Sequence, residues 1–383
     1  MALPQEDIFR ISALQKFGGS DFSVPIPLST NLAKKLDEFR PDIIHSHHPF
    51  LLGGTALRVA STRNLPIVYT YHTRYDLYGH YVIKNSEATK RLALALSVGY
   101  AELCDAVIAP SNSMAAFLAP KIRNTRTVVI PTGVNIEKLG STDTTGIREE
   151  YGIPDDTFVV GHVGRLAQEK NLKFLTDAIV DFLRGRDSAH AVITGDGEMA
   201  DQMRDAFAEA GLSNRAHMIG FKTGKHLARA YAAMDVFAFS SVSETQGLVL
   251  IEAMAAGVPV VALDANGVCD VVVDRVNGRL LANDASTSAF SKSLNWVADS
   301  STTDINELET NAKETADQFS QLKTVQKTLE LYSSLINAQP VRAKIAHSTW
   351  EDAKRRLTAH WSSFGNVASA VGSAILWPEP PVE

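Results

Sequence analysis

The chain has 383 residues, 45% of them hydrophobic and 21% charged, with a net charge of −6. That length exceeds one ordinary core, the balance excludes a disordered or fibrous chain, and the negative charge gives no general attraction to nucleic acid. Two distant cysteines, Cys104 and Cys269, form no metal-type spacing and suit a reducing cytosol, and no stretch approaches the ~20 apolar residues of a membrane span. The opening "MALPQEDIFRIS" has no apolar core and does not read as a signal peptide.

In chain order, short β-branched runs alternate with helical patterns. Strands are expected at 43–45, 67–71, 106–110 and 128–131, then at 158–163, 191–194, 218–220, 236–239, 258–263 and 279–281. Helical patterns lie between most of them, for example at 172–183, 199–211 and 225–233, and only helices follow residue 284. Strands apolar on both faces and linked by helices imply parallel, doubly wound sheets, hence an α/β fold of two Rossmann-like domains. "GSTDTTG" opens a linker at 140–150 that separates an N-terminal domain (1–139) from a C-terminal one (151–338). Residues 339–383, including "NVASAVGSAILW" and a proline-rich end, are expected to pack back on the first domain.

Ligands of open α/β sheets bind beyond the carboxyl ends of the strands, and four such loops are unusual. "GRLAQEKN" offers Gly164, Arg165 and Lys170, two cations that can converge on a diphosphate; the rival reading is a solvated helix start with Glu169 pairing locally. "GDGE" (195–198) reads first as a tight turn. In "SETQGLVLIEAMAAG" (243–257) a helix starting at 245–247, with Gly247 admitting a phosphate, is preceded by Glu244 and carries Glu252 among apolar neighbours. Eight residues of helix rise about 12 Å, which would set Glu244 on the transferred sugar and Glu252 on a ribose with diphosphate between. The rival is a core Glu252 paired with a buried arginine. On the N-terminal side, His45, His47 and His48 in "IIHSHHPF" invite a metal reading, but no partner has ligand spacing. His72, directly after a strand in "VYTYHTRYD", either hydrogen-bonds sugar or is a satisfied loop histidine.

Taken together, "VGRLAQEKN", "GDGE", "YAAMDVFAFSSVSETQGLVLIEAMAAGVPVV" with its E-x7-E pair, and "IPTGVN" (130–135) resemble family-4 retaining glycosyltransferases of the two-Rossmann (GT-B) architecture. "PDIIHSHHPFLLGGTALRVA…LPIVYTYHTRYDLYGHYV" is similar to bacterial members that glycosylate diacylglycerol or related lipids. The resemblance implies two domains facing across a cleft and a donor that is a nucleotide diphosphate sugar, UDP-glucose first. It places Arg165 and Lys170 on the diphosphate, Glu244 on the sugar with Gly164, Gly247 and Leu248 beside the donor, Glu252 on the ribose and His72 near the reacting carbon. It implies no cofactor or metal, a lipid or glycolipid acceptor, and a cytoplasmic protein peripheral at the inner membrane face. Basic residues such as Lys34, Lys35, Arg58 and Arg63 fit that surface or an ordinary solvated helix. Family members begin with a strand, a glycine-rich loop and a helix before anything like "PDIIHSHHPF", and here only about 40 residues precede it. The expectation is that the first βα unit is missing. The rival functions are then a nucleotide-sugar-binding remnant and a mannosyl or other hexosyl transferase with a non-lipid acceptor.

Overall fold

A computed structural model describes residues 8–10, 13–14, 24–25, 30–77, 87–140 and 146–345. The stretch 141–145 inside the expected linker, the segment 366–377 and most of the first 29 residues lie outside the described residues. The chain divides into two compact units: one comprises residues up to Pro110, Ala115–Ile130 and the part from Thr328, the other Ser111–Met114 with Pro131–Lys327.

In the first unit a two-residue antiparallel pair, β1 (Ala13–Leu14) and β2 (Val24–Pro25), precedes helix α1 (Thr30–Phe39). Then β3 (Ile44–Ser46), α2 (Leu52–Arg63), β4 (Ile67–Thr70), α3 (Glu87–Glu102), β5 (Ala106–Ala109), α4 (Asn112–Leu118) and β6 (Arg126–Val129) alternate. The four later strands form a parallel sheet in sequential order β3-β4-β5-β6. Right-handed crossovers between strands taken in one direction put every connecting helix on the same face. Tyr69 meets Tyr100 of α3 on that face, ring centroids 5.0 Å apart. The opposite face carries Val68, Ala106 and Ile108, which would be bare if the C-terminal helix did not return. Leu331, Tyr332 and Leu335 of that helix pack against them.

The second unit runs α5 (Ile136–Leu139), α6 (Ile147–Glu150), β7 (Val159–Val163), a 3-10 turn (Gln168–Lys170), α7 (Leu172–Arg184), β8 (His190–Thr194), α8 (Ala200–Glu209), β9 (Ala216–Gly220), α9 (Gly224–Ala232), β10 (Val236–Phe239), α10 (Leu248–Ala255), β11 (Val260–Leu263), β12 (Gly278–Leu281), α11 (Thr287–Ala298) and α12 (Thr302–Gln318). The last helix, α13 (Gln321–Ile345), begins in this unit and ends in the first. All six strands are parallel, in the order β12-β11-β10-β7-β8-β9. The winding reverses between β7 and β10, which is the doubly wound Rossmann order, so the crevice for a ligand opens beyond the carboxyl ends of those two strands. Apolar clusters fill both faces, one around Phe237, Leu250 and Met254, the other around Leu175, Ile179 and Phe290. Among the described residues no helix is long and apolar enough to cross a membrane.

Candidate donor-binding site

The loops after β7 and β10 are brought together at the switch point. Gly164 follows β7 directly, and its N–H donates to Thr194 O at the end of β8 (3.1 Å). The following backbone makes a short 3-10 turn that delivers Lys170, and Asn171 in a left-handed conformation then starts α7. Two serines from the β10 side bolt this turn down. Ser240 Oγ lies 3.0 Å from both Lys170 O and Asn171 O, and Ser243 Oγ donates to Glu169 O (3.1 Å). Lys170 Nζ consequently meets Glu244 Oε1 at 2.6 Å, with the two side chains only 18% and 15% exposed. Arg165, more exposed, pairs with Glu169, which is the local pairing set against its phosphate role in the sequence.

The "GDGE" turn has a structural reason for its first glycine. A Cβ on Gly195 would lie 1.9 Å from Gly164 O, and its φ of +147° is outside the range of other residues. The turn therefore presses directly on the β7 loop, and Leu166 N–H donates to Asp196 O (2.8 Å).

Helix α10 begins at Leu248, later than expected. Gly247 precedes it at φ +72°, a left-handed residue that cannot continue a helix backward. Residues 245–247 are therefore loop, and the helical rise that would separate Glu244 from Glu252 covers only the last few residues of that interval. Gly247, the N-cap, and half-exposed Leu248, the first helical residue, supply the first N–H groups at the start of α10. Among the described residues no arginine pairs with Glu252; Tyr231 OH donates to its Oε2 at 2.7 Å. Burial raises the Glu252 carboxyl above its usual range, and the tyrosine draws it partly back.

The loop 243–247 is braced from two further directions. Buried Gln246 takes Thr132 N–H on Oε1 (2.7 Å) and gives Nε2–H to Thr132 O (2.9 Å), a two-point lock on "IPTGVN". Ser111 Oγ donates to Thr245 O (2.7 Å). Beneath Gly164, His162 is 1% exposed, donates Nδ1–H to Ala238 O (3.0 Å) and leaves Nε2 without a partner; burial lowers its pKa to about 4.

The first unit gathers the histidines. His45 Nε2 contacts Thr70 Oγ1 (2.7 Å), and its Nδ1 meets Tyr332 OH of α13. His47 Nδ1 lies 2.9 Å from His72 Nε2, with the rings stacked at 5.1 Å. Burial and, second, His47 depress His72 to about 4, so it is neutral at pH 7. Among the described residues no group of three His, Cys, Asp or Glu could hold a metal ion.

Residues 2–138 match the family model Glycosyltransferase Family 4, and residues 143–319 match Glycosyl transferases group 1. The chain belongs to glycosyltransferase family 4. Curated relatives include the alpha-monoglucosyldiacylglycerol synthase of Acholeplasma laidlawii, 29% identical over 60% of each chain. Another is the GDP-mannose-dependent alpha-mannosyltransferase of Mycobacterium tuberculosis (strain CDC 1551 / Oshkosh), 32% identical over 68% of this chain and 65% of that one. The chain thus spans about three fifths of the length of the first of these relatives. Among solved structures, Anabaena Alr3699/HepE in complex with UDP-glucose aligns with TM-score 0.65 and 27% identity, over 80% of this chain and 83% of that one. Sucrose-phosphate synthase of Thermosynechococcus elongatus, TM-score 0.66 and 23% identity over 82% and 81%, shares the fold. These neighbours fit a GT-B glycosyltransferase whose two sheets are both Rossmann-like.

For this family-4 chain, Ser240, Ser243, Tyr231, Gln246 and Thr132 are site-shaping residues that the sequence did not single out. Ser243 and Gln246 had a usable signal, as polar residues inside the otherwise recognised "SETQG" loop, and Thr132 lies in the quoted "IPTGVN".

Proposed function

We propose that the chain is a metal-independent retaining hexosyltransferase that moves glucose from UDP-glucose to a lipid or glycolipid acceptor. The observation that carries the donor half is the Lys170–Glu244 pair, 2.6 Å apart at the switch point beside the Gly247-opened start of α10. A cation, a carboxylate and free helix N–H groups are the complement of a sugar diphosphate: the ammonium and N–H groups take the phosphates, the carboxylate takes sugar hydroxyls. Arg165 joins Lys170 on the diphosphate by exchanging Glu169 for phosphate oxygens. Glu252, held by Tyr231, accepts from the ribose diol. His72, neutral, faces the donor sugar.

In this reading the β-phosphate leaving oxygen takes the acceptor proton on the face it departs from, so the new bond keeps the donor's configuration. The protein's part is electrostatic: Lys170 and Arg165 hold the leaving diphosphate with preorganised charge. No cofactor is required. The similarity to the alpha-monoglucosyldiacylglycerol synthase supports the lipid acceptor, and an enzyme using such an acceptor would work at the cytoplasmic membrane surface. The similarity to GDP-mannose-dependent enzymes, with higher identity, favours a second reading in which the hexose is mannose. Purified protein in EDTA, given UDP-glucose or GDP-mannose with diacylglycerol in detergent, tests all of this. The expected product is an α-glucoside; transfer from GDP-mannose alone selects the second reading, a β product or strict need for a divalent ion overturns the mechanism.

A further inference from the structure

We infer that Asp270 is a positioning residue for Glu244: it holds the segment Ser111–Met114, whose first serine pins the backbone beside Glu244. The inference rests on the reading of Glu244 as the carboxylate that takes hydroxyls of the donor sugar.

Ser111–Met114 follow β5 in sequence yet belong to the second unit. Asp270 of that unit holds them. Asn112 N–H donates to Asp270 Oδ1 (2.8 Å), and Ser113 N lies 3.2 Å from both carboxylate oxygens. These are the first two N–H groups of α4, which have no carbonyl partner inside the helix, and a carboxylate is a favoured acceptor at that end. Gly267 N–H donates to Ser113 Oγ (2.7 Å), so the stretch that carries Asp270 grips the segment at a second point. The third N–H, of Met114, goes to Ser111 Oγ (3.2 Å). That N–H can only donate, so the Ser111 hydroxyl accepts from it and gives its own proton to Thr245 O, 2.7 Å away.

The line thus runs from Asp270 through the start of α4 and Ser111 to Thr245, the residue after Glu244. On the other side of Glu244, Ser243 Oγ donates to Glu169 O (3.1 Å). With both neighbours pinned, Glu244 keeps only the freedom of its side chain, and its carboxylate stays where Lys170 Nζ meets it at 2.6 Å. Residues 240–247 need such anchors, because they lie in neither strand nor helix. Gly267 also backs this loop directly: a Cβ there would lie 2.4 Å from Gln246 N and 2.6 Å from Thr245 C. A carboxylate that served only to cap α4 would do nothing for the donor sugar, and that difference can be measured.

The test is calorimetric titration of the full chain with UDP-glucose and UDP, and with GDP-mannose and GDP in parallel. In Asp270→Ala the affinity for the nucleotide sugar should fall about tenfold, while the bare nucleotide binds nearly as before, because Glu244 meets the sugar alone. Asp270→Asn should restore most of the loss, since Oδ1 by itself reaches both N–H groups. In a Glu244→Ala background Asp270→Ala should cost nothing further, because the two act through one contact. Ser111→Ala cuts the line at Thr245 and should repeat the pattern, which decides the matter if Asp270→Ala does not fold. Equal losses for nucleotide and nucleotide sugar, or additive losses in the double variant, overturn the inference and leave Asp270 as a cap for α4. Unchanged affinity in Asp270→Ala and Ser111→Ala, beside a loss in Glu244→Ala, overturns it too and leaves the reading of Glu244 standing. Full affinity in Glu244→Ala, or no binding by the unaltered protein, overturns both.

Discussion

Glu252 is tolerated inside an apolar helix because Tyr231 gives it a hydrogen bond, yet burial still raises its carboxyl. A folded carboxyl with a raised pKa binds its proton more readily than the unfolded chain does. Its charge therefore costs stability in full above the folded pKa, and the cost shrinks as pH falls from there and is gone below the unfolded one. Glu252→Gln should accordingly raise the melting temperature at pH 7 while weakening UDP and UDP-glucose binding alike, because the ribose is common to both. Glu244→Ala should weaken UDP-glucose far more than UDP. Calorimetric titration of both ligands against both variants separates the roles, and equal losses throughout would refute the assignment. Arg165 makes a different claim. Its guanidinium is a fork and each charge-assisted bond contributes about 1.5–3 kcal/mol, so Arg165→Lys should cost donor affinity although the charge stays. An unchanged affinity would leave Arg165 as a partner of Glu169 only.

At the scale of elements, the strands that line the site were legible because they are apolar on both faces, and β10 falls where its pattern places it. The misjudged borders have local causes. Strand β6 lies at 126–129 and not 128–131, since it is a sheet edge that begins with exposed Arg126. Helix α10 starts three residues late because Gly247 is left-handed, and apolar periodicity says nothing about φ. The site was legible where charge and glycine mark a loop, as at Gly164, Lys170 and Glu244. It was not legible in its supports: Ser240 acts on a residue 70 positions away, and Gln246 on one 114 positions away. Single polar residues carry no periodic signal for such partners. Packing of one loop on another yields a prediction. Gly195→Ala would drive a methyl into Gly164 O and displace the β7 loop. The expected result is a lower melting temperature together with loss of UDP-glucose binding; full affinity would show that the β7 loop does not seat the donor.

For the whole molecule, the response to acid follows from histidines kept neutral in both units. His45 is lowered to about 3 and His72 to about 4 in the first, each chiefly by burial, and His162 to about 4 in the second. Each binds a proton in the unfolded chain near pH 6.5 and resists it when folded, so the unfolded state gains protons first as pH falls. Stability should therefore decline from pH 6.5 toward 4, the window between those values, and should not recover below it. His162 is fully buried with an unpartnered Nε2, and a shift from 6.5 to about 4 amounts to on the order of 3 kcal/mol. His162→Asn keeps an amide that can donate to Ala238 O but removes the titration. It should melt lower than the unaltered protein at pH 7, because the smaller side chain leaves space beside Phe237 and Phe239. Between pH 6.5 and 4 its melting temperature should fall less steeply, so that the two curves converge in acid. Parallel curves over that interval would mean that His162 is not what acid acts on in the second unit.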